Sequence, residues 1–141
     1  MKSMLLRLFP LLLIAVVAGV VWQNQRQQGE GVLRTLACPD LQKGCGIDLD
    51  GKAVKVVISG EIKPLQAFQV RVEAPRVDKV EARFTMEGMD MGFNLYTLRA
   101  QNPGVFQANV TLPVCVTGRR DWVMRLSVDG AKLAVPFVTD L

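Results

Sequence analysis

With 141 residues, the chain has room for one domain and an appendage, built on one core of ordinary size. Half of its residues are hydrophobic and 21% are charged, which excludes a disordered chain. The formal charge of +4 falls to +2 once Lys2 and Arg7 are set aside (4 − 2); the remaining basic residues are scattered singly apart from Arg119-Arg120, with no aromatic platform, so no nucleic-acid partner is indicated.

The chain opens with LFPLLLIAVVAGVVW from Leu8 to Trp22, free of charges and amides, and Met4 to Leu6 extend the apolar run beyond Arg7. That length approaches the roughly 20 residues of a membrane-spanning helix. Lys2 and Arg7 predict a cytoplasmic N-terminus. An uncleaved signal anchor and a cleaved signal peptide both fit; the missing A-x-A site and the interfacial position of Trp22 favour the anchor. Either way the remainder is exported. Residues 1–22 are thus expected as a single transmembrane helix. The polar stretch that follows, QNQRQQGEG, starts a tether over 23–34, and 35–141 form the exported domain.

Within that domain CPDLQKGC, from Cys38 to Cys45, carries Pro, Asp and Gly suited to a tight loop in an oxidising compartment. Cys38 and Cys45 are expected to pair, with a gain of about 2 kcal/mol for so short a loop. A bridge from either one to Cys115 is the alternative.

From Val54 onward the pattern has period two: Val54, Val56, Ile58; then Phe68, Val70, Val72; then Val80, Ala82, Phe84, Met86. It resumes at Phe106, Ala108, Val110, Leu112, again at Trp122, Met124, Leu126, Val128, and last over Leu133 to Val138. Asp50-Gly51, Lys63-Pro64, Ala74-Pro75, Asn102-Pro103-Gly104, Thr117-Gly118 and Asp129-Gly130 punctuate these runs as turns. No long amphipathic helix competes. Seven or so short strands at this spacing predict an all-β domain, an immunoglobulin-like antiparallel β-sandwich, with Trp122 filling its core.

The chain contains no histidine, so neither a Ser-His-Asp nor a Cys-His couple exists. Ser3, Ser59 and Ser127 lie in no nucleophile elbow, and no phosphate-binding loop is present. Glu87 and Asp90 are the kind of carboxylate pair that any sandwich has by chance. The chain does not read as an enzyme.

The densest chemistry is TMEGMDMGFN, Thr85 to Asn94. The alternation changes phase at Gly88, which marks a bulge or corner able to re-aim Met86, Met89 and Met91. Thioethers are soft, need no deprotonation and suit Cu(I), with Glu87 and Asp90 adding attraction for a cation. Cys115 is the odd cysteine: a fourth sulfur ligand, a redox thiol, or an inert buried one. Against the metal reading stands ordinary methionine packing, or an apolar docking rim made by the GMDMG corner and the Trp122 region. Gly92 and Asn94 equally suit a plain turn.

The motifs GMDMGFN (Gly88 to Asn94), LPVC (Leu112 to Cys115) and GRRDW (Gly118 to Trp122), downstream of CPDLQKGC, together resemble small membrane-anchored periplasmic proteins of proteobacteria that lack an assigned activity. More loosely, an anchor followed by a small sandwich is similar to the FixH and YtkA-like proteins. That resemblance implies copper delivery connected with the assembly of a respiratory oxidase as membrane partner. By the resemblance Met89, Met91, Cys115 and Trp122 occupy recurring positions. The expected molecule is then a single-pass protein of the bacterial inner membrane with its C-terminal domain in the periplasm and copper, if anything, as its metal.

Overall fold

The structure, a computed structural model, describes residues 14–22, 33–89, 91–92 and 94–140. The chain divides into two compact units, Met1–Gly31 and Val32–Leu141. In the first, residues 14–22 are helical and the side chains of Ile14, Val16, Val17, Val20 and Val21 are exposed. Among the described residues no helix is long and apolar enough to cross a membrane. The rest of the expected anchor (1–13) and most of the tether (23–32) lie outside the described residues.

Among the described residues the second unit has nine strands: β1 (Arg34–Thr35), β2 (Cys45–Leu49), β3 (Lys52–Ser59), β4 (Ala67–Glu73), β5 (Val80–Thr85), β6 (Leu95–Asn102), β7 (Val105–Thr111), β8 (Asp121–Val128) and β9 (Ala131–Val138). Arg34, which the sequence reading assigns to the tether, is already part of the sheet. The strands form one continuous sheet in the order β1-β9-β8-β5-β6-β7-β4-β3-β2. All pairings are antiparallel except that of β1 with β9. The expected β architecture is therefore present, as a single curled sheet, a half-barrel.

The curl has a local cause in β6. Its first half, Leu95 to Leu98, pairs with β5, whereas Arg99 to Asn102 pair with β7 through an irregular register. The strand thus passes from one half of the sheet to the other, and the two halves come to face each other. Phe68 in β4 and Phe84 in β5, three places apart in strand order, meet edge to face at 6.2 Å. Phe84 also meets Tyr96 at 5.8 Å and Phe137 at 6.2 Å, geometries in which ring edges meet ring faces favourably. One hydrophobic cluster, with Trp122 wholly buried, fills the space between the halves.

The turns follow from their residues. Asp50-Gly51 and Asp129-Gly130 both have positive φ at each position (54° and 79°, 47° and 89°), as the two-residue type I′ hairpin demands. Asp129 also works as a clasp: its carboxylate accepts from the Asp78 and Lys79 amides at 3.0 and 2.9 Å and from Lys52 Nζ at 2.8 Å. Cys38 and Cys45 form a disulfide with Cα atoms 5.8 Å apart, and the loop they close is docked on β3 by Ile58 N–H donating to the Leu41 carbonyl at 2.9 Å.

Candidate functional site

Met86 to Met89, at the start of the GMDMG corner, form a tight β-turn. Met89 N–H donates to the Met86 carbonyl at 3.2 Å, and the two residues form an isolated antiparallel bridge. Gly88, third in the turn, has φ +73°, a conformation nearly free for glycine and costly for side chains. The chain therefore reverses at Gly88, with Met86 directly after β5 and Met89 opposite it across the turn. Asp90 and Phe93 lie outside the described residues.

The three methionines part company in burial. Met86 is 2% exposed and lies in the core, which leaves its thioether a packing element in this conformation. Met89 and Met91 are partly buried at the core's margin. Met91 lines an open groove of about 410 Å³ with Leu65, Asn94, Leu112 and Pro113 among its walls. Asn94 is buried, and among the described residues its Nδ2 has no hydrogen-bond partner. Trp122 is core, 1% exposed, and stands among the walls of a groove with Glu87, Pro136 and Phe137.

Cys115 is free and 7% exposed. It opens a turn closed by Gly118 N–H donating to its carbonyl at 3.0 Å. Within that turn its Sγ shares a hydrogen bond with Thr117 Oγ1 at 3.0 Å. This bond, helped by the Thr117 amide and by the nearby Arg119, holds the thiol pKa below its ordinary value, against a smaller opposing effect of burial. Thiolate, the form that ligates soft metals and attacks electrophiles, is favoured accordingly.

Arg119 joins the two segments. Its Nη1 donates to the Glu87 carbonyl at 3.0 Å, across 32 residues of chain. Its Nε donates to Asp121 Oδ1 at 3.0 Å, and its Nη2 makes a second, short contact with Asp121 Oδ2. The paired guanidinium and carboxylate hold Arg119 above and Asp121 below their ordinary pKa values. The loop bearing the free thiol is thus tied to the turn bearing Met86 and Met89. Sequence reading passes over Arg119 and Thr117; the only signals were the Arg119-Arg120 doublet and the Thr117-Gly118 turn.

Among the described residues no group of three or more His, Cys, Asp or Glu is placed to hold a metal ion. The donors on offer are the Met89 and Met91 thioethers at the core margin and the Cys115 thiol, a set that fits a soft monovalent ion and not a hard divalent one. No family model, no curated protein and no solved structure matches this chain.

Proposed function

We propose that this is a non-enzymatic, membrane-anchored protein of the periplasm whose GMDMG end binds Cu(I) for storage or for delivery to a respiratory oxidase. The apolar run Leu8 to Trp22 supports the anchor, and the Cys38–Cys45 disulfide supports an oxidising compartment. The finer fold reading, an immunoglobulin-like sandwich, draws on the two facing halves and on β6 passing between them. The oxidase and the FixH and YtkA-like kinship rest on the motif resemblance alone.

The observation that carries the metal reading is the Arg119 bond to the Glu87 carbonyl, since it holds the thiol loop against the methionine turn. Met89, Met91 and Cys115 are the ligands in this reading. Met86 supports the turn from the core. Thioether and thiolate sulfurs select Cu(I) over the harder divalent ions, and exchange of a neutral thioether for a partner's ligand requires no proton transfer.

A second reading, a metal-free docking module, is favoured by the exposed Val114 and by Val116, 98% exposed beside Cys115. One titration separates the two. Full-length protein in detergent is titrated with Cu(I) against a chromogenic chelator, in parallel with Met89→Ala/Met91→Ala, Cys115→Ser and Met86→Leu. The metal reading expects one tight equivalent, weakened at least about tenfold by the first two variants and unchanged by the third, since tenfold corresponds to loss of one modest ligand contribution. Wild-type affinity no better than that of the first two variants leaves the docking reading.

A further inference from the structure

A second feature arises where β6 changes partner. Beyond Arg99, paired with Gln107, β6 and β7 stop pairing, and β6 runs on alongside β5 alone. Paired strands lie about 4.8 Å apart, but here a whole tyrosine side chain spans the gap. Tyr96 Oη donates to the Thr111 carbonyl at 2.9 Å and accepts from the Thr111 amide at 3.3 Å.

Backbone groups alternate in direction along a strand, and the alternation can be read on both sides of the gap. Phe84 N–H donates to the Asn94 carbonyl at 3.0 Å, so Asn94, Tyr96 and Leu98 turn their backbone groups to β5, and Thr97 turns its groups towards β7. Thr111 turns to Tyr96, so Asn109, two residues earlier on β7, also faces β6. Thr97 and Asn109 would be partners had the ladder continued; no ladder pairing joins them, and by the alternation each turns its N–H and C=O towards the gap. Both line a cavity of about 400 Å³ with Gln69, Arg99, Gln101 and Gln107. Among the described residues no acidic side chain is in its walls, and Arg99 is their one charge. Tyr96 also lines the neighbouring groove of Met91, Leu65, Leu112 and Pro113, where, among the described residues, the buried Asn94 Nδ2 lacks a partner.

We propose that the gap between β6 and β7 is a docking groove for an extended peptide segment of a partner protein. The segment pairs its backbone with Thr97 and Asn109, sets a carboxylate against Arg99, and lays an apolar side chain beside Met91 and Leu65. An inserted strand satisfies donors and acceptors on both walls, the physical basis of recognition by strand addition. Charge complementarity at Arg99 and the carbonyl acceptor that Asn94 Nδ2 calls for set the peptide's polarity. This inference does not depend on metal binding.

The free protein supplies the first test. Amide hydrogen exchange on the full-length chain is expected to be at least about tenfold faster at Thr97 and Asn109 than at Leu98 and Ala108, whose amides are in ladders. Equal protection means that the gap is closed, and overturns the proposal. A displayed library of random nonapeptides is then panned on the full-length protein in detergent, and the enriched peptides are synthesised. Enrichment of a carboxylate at one end and an apolar residue at the other is expected, with affinity falling about tenfold in Arg99→Glu and in Thr97→Trp, which charges or fills the groove. Bound peptide should slow exchange at Thr97 and Asn109, and Met89→Ala and Cys115→Ser should leave its affinity unchanged. An unenriched library, or equal affinity for wild type and both groove variants, overturns the proposal.

Discussion

Arg34 in β1 donates from Nη1 to the Asp48 carbonyl in β2 at 3.1 Å, so the two outermost strands of a nine-stranded sheet are joined by one side chain. The same guanidinium pairs with Asp50 at 2.9 Å. An open sheet has two edges exposed to pairing with other chains. Here the curl brings both edges together, and Arg34 bridges them. Both partners are well exposed, so Arg34→Ala is expected to cost no more than about 1 kcal/mol in denaturant unfolding. Its clearer mark is local: faster amide exchange at Leu36, which donates to Ala134 at the β1 edge, with core amides unchanged.

Asp129 is the corresponding clasp at the β8–β9 turn, and its removal should be felt globally. Asp129→Ala forfeits two backbone hydrogen bonds and the Lys52 pair and places alanine at φ 47°. An expected loss of about 2 to 3 kcal/mol follows, measured by urea unfolding.

The same residue sets a pH dependence. The Lys52 hydrogen bond, followed by the amides of Lys79 and Asp78, lowers the Asp129 pKa below its ordinary 3.8. A carboxyl group more acidic in the folded state binds fewer protons there than in the unfolded state. Its stabilisation is complete above the ordinary pKa and disappears as pH falls through the folded one. Urea midpoints taken from pH 5 to pH 2, on the order of the carboxylate range, should fall more shallowly for Asp129→Asn than for wild type. The amide keeps the Oδ1 acceptor and the tolerated positive φ but carries no titrating charge.

Core and margin methionines should separate cleanly. Met86→Ala empties a site that is 2% exposed and is expected to cost about 2 to 5 kcal/mol; Met86→Leu keeps the volume and should cost under about 1.5 kcal/mol. Met89→Ala, at the margin of the core, should cost less than Met86→Ala. Equal losses at the two positions in chemical denaturation would show that the turn buries both thioethers alike.

For Cys115, titration of thiolate absorbance should give a pKa below that of an ordinary thiol. Thr117→Val, which removes the bond that lowers it most, is expected to raise it, and Arg119→Ala to raise it by less. A wild-type value at or above the ordinary thiol range would refute this account of the turn.

Much of this was legible in the chain itself. The alternation of Val54, Phe68, Val80, Phe106 and Trp122 with polar neighbours marked strands because each has one face in the core and one outside. Asp50-Gly51 and Asp129-Gly130 marked their hairpins because few other pairs accept two positive φ values. The change of phase at Gly88 marked the turn that separates Met86 from Met89, and the short Cys38 to Cys45 spacing marked the disulfide. The strand from Leu95 to Asn102 escaped notice because Leu98 is its only buried residue; a strand that leaves one half of a sheet for the other shows no constant face. Edge strand β2 was hidden likewise, with only Leu49 buried.

The site divides along the same line. Residue types determined which chemistry was available: soft sulfur donors, no imidazole, a tight methionine turn. Tertiary structure alone decided that Arg119 reaches Glu87. It also ended the β6–β7 ladder at Arg99 and Gln107, short of Thr97 and Asn109. Each of these depends on segments far apart in the chain being brought together by the curl of one sheet, and local periodicity carries information only about the faces of a strand, not about which distant strand lies opposite.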